Sequence, residues 1–165
     1  MNLKLFVIAA TLGIIFGAAA AGPVNDSGII FSEPFQNGDN LKNYNKGGLD
    51  VKIIPEADGG SAICIAVPER RNVNCIDITF DAARLAGRRV EFSADIRGEN
   101  VAPAKSEWNG GKFILHAVTG SGREIWQSSV VKRGTFGWEK IKFTADLPAD
   151  LKCARLMLGF QDSFG

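Results

Sequence analysis

The sequence predicts an all-β fold, a sandwich of two antiparallel sheets. About nine short β-rich runs follow one another, and the segments between them are turns or loops without the length of a regular helix. Within the runs apolar and polar residues alternate, which gives each strand one buried side and one wet side. With 45% hydrophobic and 22% charged residues, the 165-residue chain has the composition of one globular domain.

The first 21 residues are predicted to be a secretory signal peptide. Lys4 gives a positive start, LFVIAATLGIIFG an apolar run, and residues 19–21 a small-residue cleavage site. An uncleaved membrane anchor fits less well, because the apolar run is short for a membrane span. We therefore expect a secreted protein, in the periplasm or outside the cell, that has no membrane contact after cleavage.

The mature domain is predicted to be residues 22–165, which is enough chain to bury a core. Lys4 is the only charged residue of the signal, so this domain carries 18 of the 19 basic residues and all 18 acidic ones. A balanced charge gives no reason to expect nucleic acid or anionic lipid as a partner.

Three cysteines in an oxidising compartment leave at least one thiol unpaired. Cys64 and Cys75 flank the turn PERRNV symmetrically, and a disulfide between them is one interpretation if their strands pair. The alternative is that these two and Cys153 are three small buried thiols.

The strands are predicted along the chain in the following order, with a long surface loop at 36–48 and a turn at 81–87. They cover residues 28–35, 49–55, 61–67, 74–80, 88–97, 112–119, 124–131, 138–147 and 154–161. Alternation assigns one face of several strands to the core: Val90, Phe92, Ala94 and Ile96; Ile141, Phe143 and Ala145; Leu156, Leu158 and Phe160. The chain stops at DSFG, directly after the last strand. We expect that a closing strand is missing and that a longer protein continues, since the sandwich would otherwise leave a sheet edge unpaired.

The stretch KFILHAVTGSGREIWQSS predicts a β-hairpin that turns at GSGR. If the strands fold back about Ser121, His116 and Trp126 lie directly opposite each other on one face. The other face is apolar and is predicted to meet the core: Phe113, Leu115, Ala117 and Ile125. The hairpin thus displays an imidazole and an indole outward.

No pattern of catalysis is found. His116 is the only histidine, so without a C-x-x-C pair a zinc site is not expected. There is no G-x-S-x-G elbow, phosphate-binding glycine loop or H-E-x-x-H helix. A nucleophilic pair of Cys75 and His116 is disfavoured, because nothing in the sequence brings them together. No pair of carboxylates is singled out for glycosidase chemistry. We expect a protein that is not an enzyme.

An outward tryptophan on a strand whose other side is already apolar calls for a ligand. Aromatic rings stack on the C–H faces of sugars while polar neighbours bond the hydroxyls, so Trp126 and His116 are candidate sugar contacts. Packing of Trp126 beneath a lid is the alternative. Trp108, in the loop SEWNGG, is a candidate rim contact, and Trp138 is interpreted as a core or edge-packing residue.

Two segments resemble a known family. LAGRRVEFSADIRGENV is similar to a strand of the galactose-binding-like jelly rolls, in particular the CenC-type carbohydrate-binding modules attached to cellulases and xylanases. The stretch from KFILHAVTGSGREIW through GTFGWEKIKFTADLPADLKCARLMLGFQDSFG resembles the second half of such a module. In that family one more strand follows, which agrees with the expected truncation. The resemblance spans 29–165 and implies a jelly roll.

The resemblance also implies a site. It places strands 74–80, 112–119, 124–130 and 154–161 in one sheet, and it gathers these outward residues: Asp77, Thr79, His116, Trp126, Ser128, Arg155 and Gln161. Such modules often hold a structural calcium, for which Glu33 is the candidate ligand; no other cofactor is expected.

The function expected from this resemblance is non-catalytic binding of a polysaccharide or oligosaccharide. The module would target a glycoside hydrolase whose catalytic domain follows it in the longer chain. The alternative is a structural or adhesive β-sandwich that mediates contacts between domains or proteins.

Overall fold

The computed structural model of the chain describes residues 5–16, 29–33, 35, 38–56, 60–67, 71–103 and 106–165. In this part of the chain the elements are β1 (Leu5–Phe16), β2 (Ile29–Glu33), a 3-10 helix (Gly38–Asn43), β3 (Val51–Pro55), β4 (Ser61–Ile65), β5 (Arg71–Phe80), α1 (Ala82–Leu85), β6 (Arg89–Val101), β7 (Gly110–Thr119), β8 (Glu124–Val130), β9 (Gly134–Asp146) and β10 (Leu151–Ser163). None of the described helices is long and apolar enough to cross a membrane.

The strands form two sheets, and neighbouring strands are antiparallel. One sheet has six strands in the order β3-β4-β1-β6-β9, with β2 also paired to β1. The other has four strands in the order β5-β10-β7-β8. The predicted all-β sandwich of two antiparallel sheets is confirmed. The four-stranded sheet also contains the four strands that the family resemblance placed together.

Each of the nine predicted strands corresponds to one of β2 to β10. The differences are at the ends, where β6 runs on to Val101 and β9 starts at Gly134. The pairing of these two strands shifts register between Ile96 and Gly98 and again before Val101. Because each irregularity interrupts the two-residue alternation, the hydrophobic pattern ends before the pairing does.

The apolar segment predicted as the hydrophobic part of a signal peptide is β1 in the structure. It pairs with β6 along one side. Along its other side its first half pairs with β4 and its second half with β2. The predicted cleavage site at 19–21 lies outside the described residues, and cleavage remains a prediction.

The core lies between the two sheets and is built by the inward rows that alternation predicted. Val90, Phe92, Leu156 and Leu158 are fully buried. Aromatic rings join the two layers, since Phe143 of β9 stacks on Phe92 at 5.1 Å and meets Phe113 of β7 edge-on at 5.2 Å. The contact between Phe113 and Phe143 packs β7 against the opposite sheet.

Two connecting segments are more ordered than their composition suggests. The predicted surface loop at 36–48 contains the 3-10 helix, and its Leu41 and Tyr44 are buried in the core. At the predicted turn 81–87 the side chain of Asp81 caps α1 by accepting a hydrogen bond from the Ala83 amide at 3.0 Å. Burial of Leu41 and Tyr44 holds the 36–48 segment against the core.

The cysteines are free thiols. Cys64 lies on β4 and Cys75 on β5, and these strands belong to different sheets. The disulfide interpretation is therefore wrong, because the connection between the two strands crosses from one sheet to the other instead of turning back as a hairpin.

The outer face of the six-stranded sheet carries cross-strand ion pairs such as Lys140 with Asp95 at 2.9 Å. Trp138 lies on the edge strand β9 and is 40% exposed, with the Arg97 guanidinium 4.9 Å from its ring centre. Of the two interpretations of Trp138, core packing is wrong, whereas packing at a sheet edge agrees with its place on β9 beside Arg97. Its Arg97 contact provides a reason for its exposed position.

The structure predicts that Gly159 cannot be replaced. Its φ is +142°, and a Cβ there would lie 2.1 Å from the Asn74 carbonyl oxygen. We expect Gly159→Ala to lower the free energy of unfolding by about 2–4 kcal/mol. Gly137→Ala is the matched control, since a Cβ at that position meets nothing within 4 Å. Urea unfolding measures both variants, and equal midpoints would contradict the prediction.

Candidate functional site

A row of side chains crosses the outer face of the four-stranded sheet, the face that points away from the core. In register, Thr79 of β5 lies opposite Arg155 of β10, Arg155 opposite His116 of β7, and His116 opposite Trp126 of β8. The predicted pairing of His116 with Trp126 is confirmed. The row spans three strand spacings, roughly 14 Å.

His116 and Trp126 are stacked, with ring centres 3.9 Å apart and ring planes at 16°. The indole Nε1 donates a hydrogen bond to Glu124 Oε2 at 2.9 Å. Trp126 nevertheless remains 50% exposed. Because β8 is the last strand of its sheet, the ring face that His116 does not cover lies on the side of the sheet edge. Trp126 thus has an oriented ring with open apolar area.

Arg155 determines which nitrogen of the His116 ring carries the proton. Its Nε donates a hydrogen bond to His116 Nδ1 at 3.0 Å, so Nδ1 must be unprotonated and the ring proton sits on Nε2. Burial lowers the pKa of His116, the positive charge of Arg155 lowers it further, and Glu124 opposes both. His116 is therefore neutral at neutral pH.

Two sets of donors lack a hydrogen-bond partner among the described residues. His116 Nε2 is buried and has no hydrogen-bond partner among the described residues; Glu124 Oε2 is 3.6 Å away, beyond hydrogen-bonding distance. Arg155 uses Nε on His116, and its terminal N–H groups have no partner in the described part of the chain. We call Arg155, His116, Trp126 and Glu124 the His–Trp cluster.

The remaining predicted site residues are spread over the same face. Asp77 is separated from β8 by three strand spacings, and its carboxylate accepts a hydrogen bond from the Asn45 side chain at 3.2 Å. Gln161 is six residues from Arg155 along β10, roughly 20 Å. Trp108 lies in the turn before β7 and is 75% exposed. The structure therefore does not bring Asp77, Gln161 or Trp108 into the His–Trp cluster.

The predicted calcium ligand Glu33 ends β2, where its backbone pairs with Leu12, and its side chain lies outside the described part. Among the side chains that the structure describes, no three of the types His, Cys, Asp and Glu come together as a metal site. A calcium site at Glu33 remains a prediction.

Cys75 is not positioned to act with His116. It lies opposite Gly159, which in turn lies opposite Lys112 of β7, and Lys112 is four residues from His116 on that strand. Burial raises the pKa of Cys75 to about 12, so the thiol is protonated at neutral pH. The nucleophilic pair that the sequence disfavoured is not formed.

Sequence reasoning missed Glu124 and the Arg155–His116 bond. Glu124 could have been found, because it is two residues from Trp126 and a strand returns to the same face every second residue. The bond could not, because it joins strands 39 residues apart in sequence.

No protein-family model matches the chain, and no curated protein is significantly similar to it.

The neighbours of His116 predict opposite shifts of its pKa, which NMR measures directly because it is the only histidine. We expect a wild-type pKa below the ordinary value of about 6.5. Glu124→Gln should lower the pKa further, and Arg155→Gln should raise it, since the two charges act in opposite directions. Shifts of the same sign in both variants would contradict this account.

The same shift makes stability depend on pH. Since the folded state has the lower His116 pKa, the unfolded state binds the proton first as pH falls below about 6.5. The free energy of unfolding of the wild type should fall between pH 6.5 and that lower pKa. His116→Asn should be flatter over this range. Parallel urea-derived profiles for the two proteins would assign the acid sensitivity to other groups.

Proposed function

We propose that the protein binds carbohydrate on the outer face of its four-stranded sheet, without catalysing a reaction. The observation that carries this proposal is the half-exposed indole of Trp126, held by the stacked His116 ring at 3.9 Å and by its bond to Glu124 at 2.9 Å. An aromatic surface fixed in this way loses little freedom when a sugar stacks on it.

The polar groups along the row that crosses the sheet suit sugar hydroxyls. Arg155 carries terminal N–H donors that have no partner in the described part of the chain, and the exposed Thr79 hydroxyl lies opposite Arg155. Donors and acceptors that alternate around an aromatic platform are the usual means by which a protein fixes the orientation of a sugar ring.

We propose further that the bound ligand is a polysaccharide or oligosaccharide and that the domain is a secreted accessory module of a glycoside hydrolase. Its contribution would be to raise the local concentration of an attached catalytic domain on the polymer. The likeness of its sequence segments to carbohydrate-binding modules supports this context.

Trp126→Ala tests the proposed platform. With a panel of glucans, xylans and galactans, we expect one ligand to bind the wild type and to bind the variant at least about tenfold more weakly, about 1.4 kcal/mol. Isothermal titration calorimetry measures both affinities.

Trp138→Ala is the matched control, because Trp138 is also an exposed tryptophan but lies on the outer face of the other sheet. Unchanged binding by Trp126→Ala, or an equal loss in both variants, would refute the proposed site. Failure of the wild type to bind any glycan would favour a structural or adhesive role.

A further inference from the structure

A second concave site lies at the end of the β7–β8 hairpin farthest from its turn. It is a cavity of about 320 Å³. Its lining combines an exposed aromatic ring, two serine hydroxyls and three basic side chains: Trp108, Ser128, Ser129, Lys112, Lys132 and Arg133. No residue of the His–Trp cluster lines it.

The cavity wall is built by a turn that folds over β7. Lys112 is on the outward side of β7, yet it is buried, and its ammonium group donates a hydrogen bond to the Trp108 carbonyl oxygen. This burial lowers the pKa of Lys112. The bond fixes the backbone of the turn, and the Trp108 ring, 75% exposed, lies at the rim of the cavity.

The lining carries an excess of positive charge, although the whole chain is nearly neutral at +1. Lys132 is neutralised by Glu139, 2.6 Å away. Arg133 has no ion pair among the side chains that the structure describes, and Glu107 is the only acidic residue of the lining. With Lys132 paired, the lining has two further positive side chains, Lys112 and Arg133, and one carboxylate, that of Glu107. The resulting positive charge favours binding of an anion.

We propose that this cavity binds a carboxylate-bearing sugar residue, a hexuronic acid, within an acidic polysaccharide. The inference rests on the proposed function and specifies its ligand class. The Arg133 guanidinium offers the planar fork that pairs with a carboxylate through two hydrogen bonds. The Trp108 ring offers a stacking surface for the sugar, and the Ser128 hydroxyl offers a partner for a ring hydroxyl.

The cavity continues the face that carries the His–Trp cluster. Ser128 follows Trp126 by two residues on the same side of β8, roughly 7 Å along the strand. Lys112 precedes His116 by four residues on β7, roughly 13 Å. One oligosaccharide that runs along the hairpin can therefore reach both sites, with Trp126 under one sugar and the acidic sugar in the cavity.

The test uses the full chain and pairs of ligands that differ only in charge. Oligomers of galacturonic, glucuronic, mannuronic and guluronic acid are each compared with their fully methyl-esterified forms by isothermal titration calorimetry. We expect at least one acid to bind about tenfold more tightly than its ester, the effect of one charge-assisted hydrogen-bonded contact. Arg133→Gln should remove this preference and leave binding of the ester unchanged.

Arg123→Gln is the matched control, because it removes the same charge from the turn at the opposite end of the hairpin. Equal losses in the Arg123 and Arg133 variants would show a general charge effect and overturn the inference. So would equal binding of every acid and its ester. If neutral glycans still bind and lose affinity in Trp126→Ala, the proposed function stands without the acidic site. If Arg133→Gln weakens binding of an acid and Trp126→Ala leaves it unchanged, the cavity binds the acid and the proposed site at the His–Trp cluster is refuted.

Discussion

The register of the β7–β8 hairpin is the constraint on which the displayed face depends. Phe113, Leu115 and Ala117 are fully buried on the inner side, so a slip by one residue would turn all three outward and place Lys112 and His116 in the core. The edge-on contact of Phe113 with Phe143 adds an anchor in the opposite sheet. Burial of the inner row of side chains thus determines which side chains lie on the outer face of the hairpin. The stacked pair of His116 and Trp126 is a product of core packing as much as of its own contacts.

Polar contacts then fix the orientation of the side chains that core packing places on the outer face. Trp126 is held by two neighbours at once, an imidazole on its face and a carboxylate on its N–H. The imidazole is itself oriented by Arg155 from the next strand. Each group fixes another, and residues of three strands, β7, β8 and β10, are needed to complete the set. Such a cluster is preorganised, because its order is already established before any ligand arrives.

Much of this architecture could be predicted from the sequence, since two-residue alternation is strong where one face is buried and the other is solvated. This alternation predicted the nine strands, the buried face of several of them, and the position of His116 opposite Trp126. The remainder depends on which strands become neighbours, and alternation does not carry that information. Cys64 and Cys75 flank a short connection, yet that connection changes sheets. The cavity at Lys112 arises because a turn folds back over a strand, which no periodicity records. The apolar run of β1 is ambiguous in principle, because a signal sequence and a buried strand share the same composition.

The placement of β1 makes this strand the bridge between two parts of the larger sheet. Among the described strands β4 and β6 are joined only through β1, so without it their edges would face each other two strand spacings apart, roughly 10 Å. Each edge would present a ladder of backbone donors and acceptors with no partner. Removal of the N-terminal segment would therefore turn a continuous sheet into an acceptor groove that fits one extended chain. The arrival of a replacement strand would then be a step in assembling the folded protein.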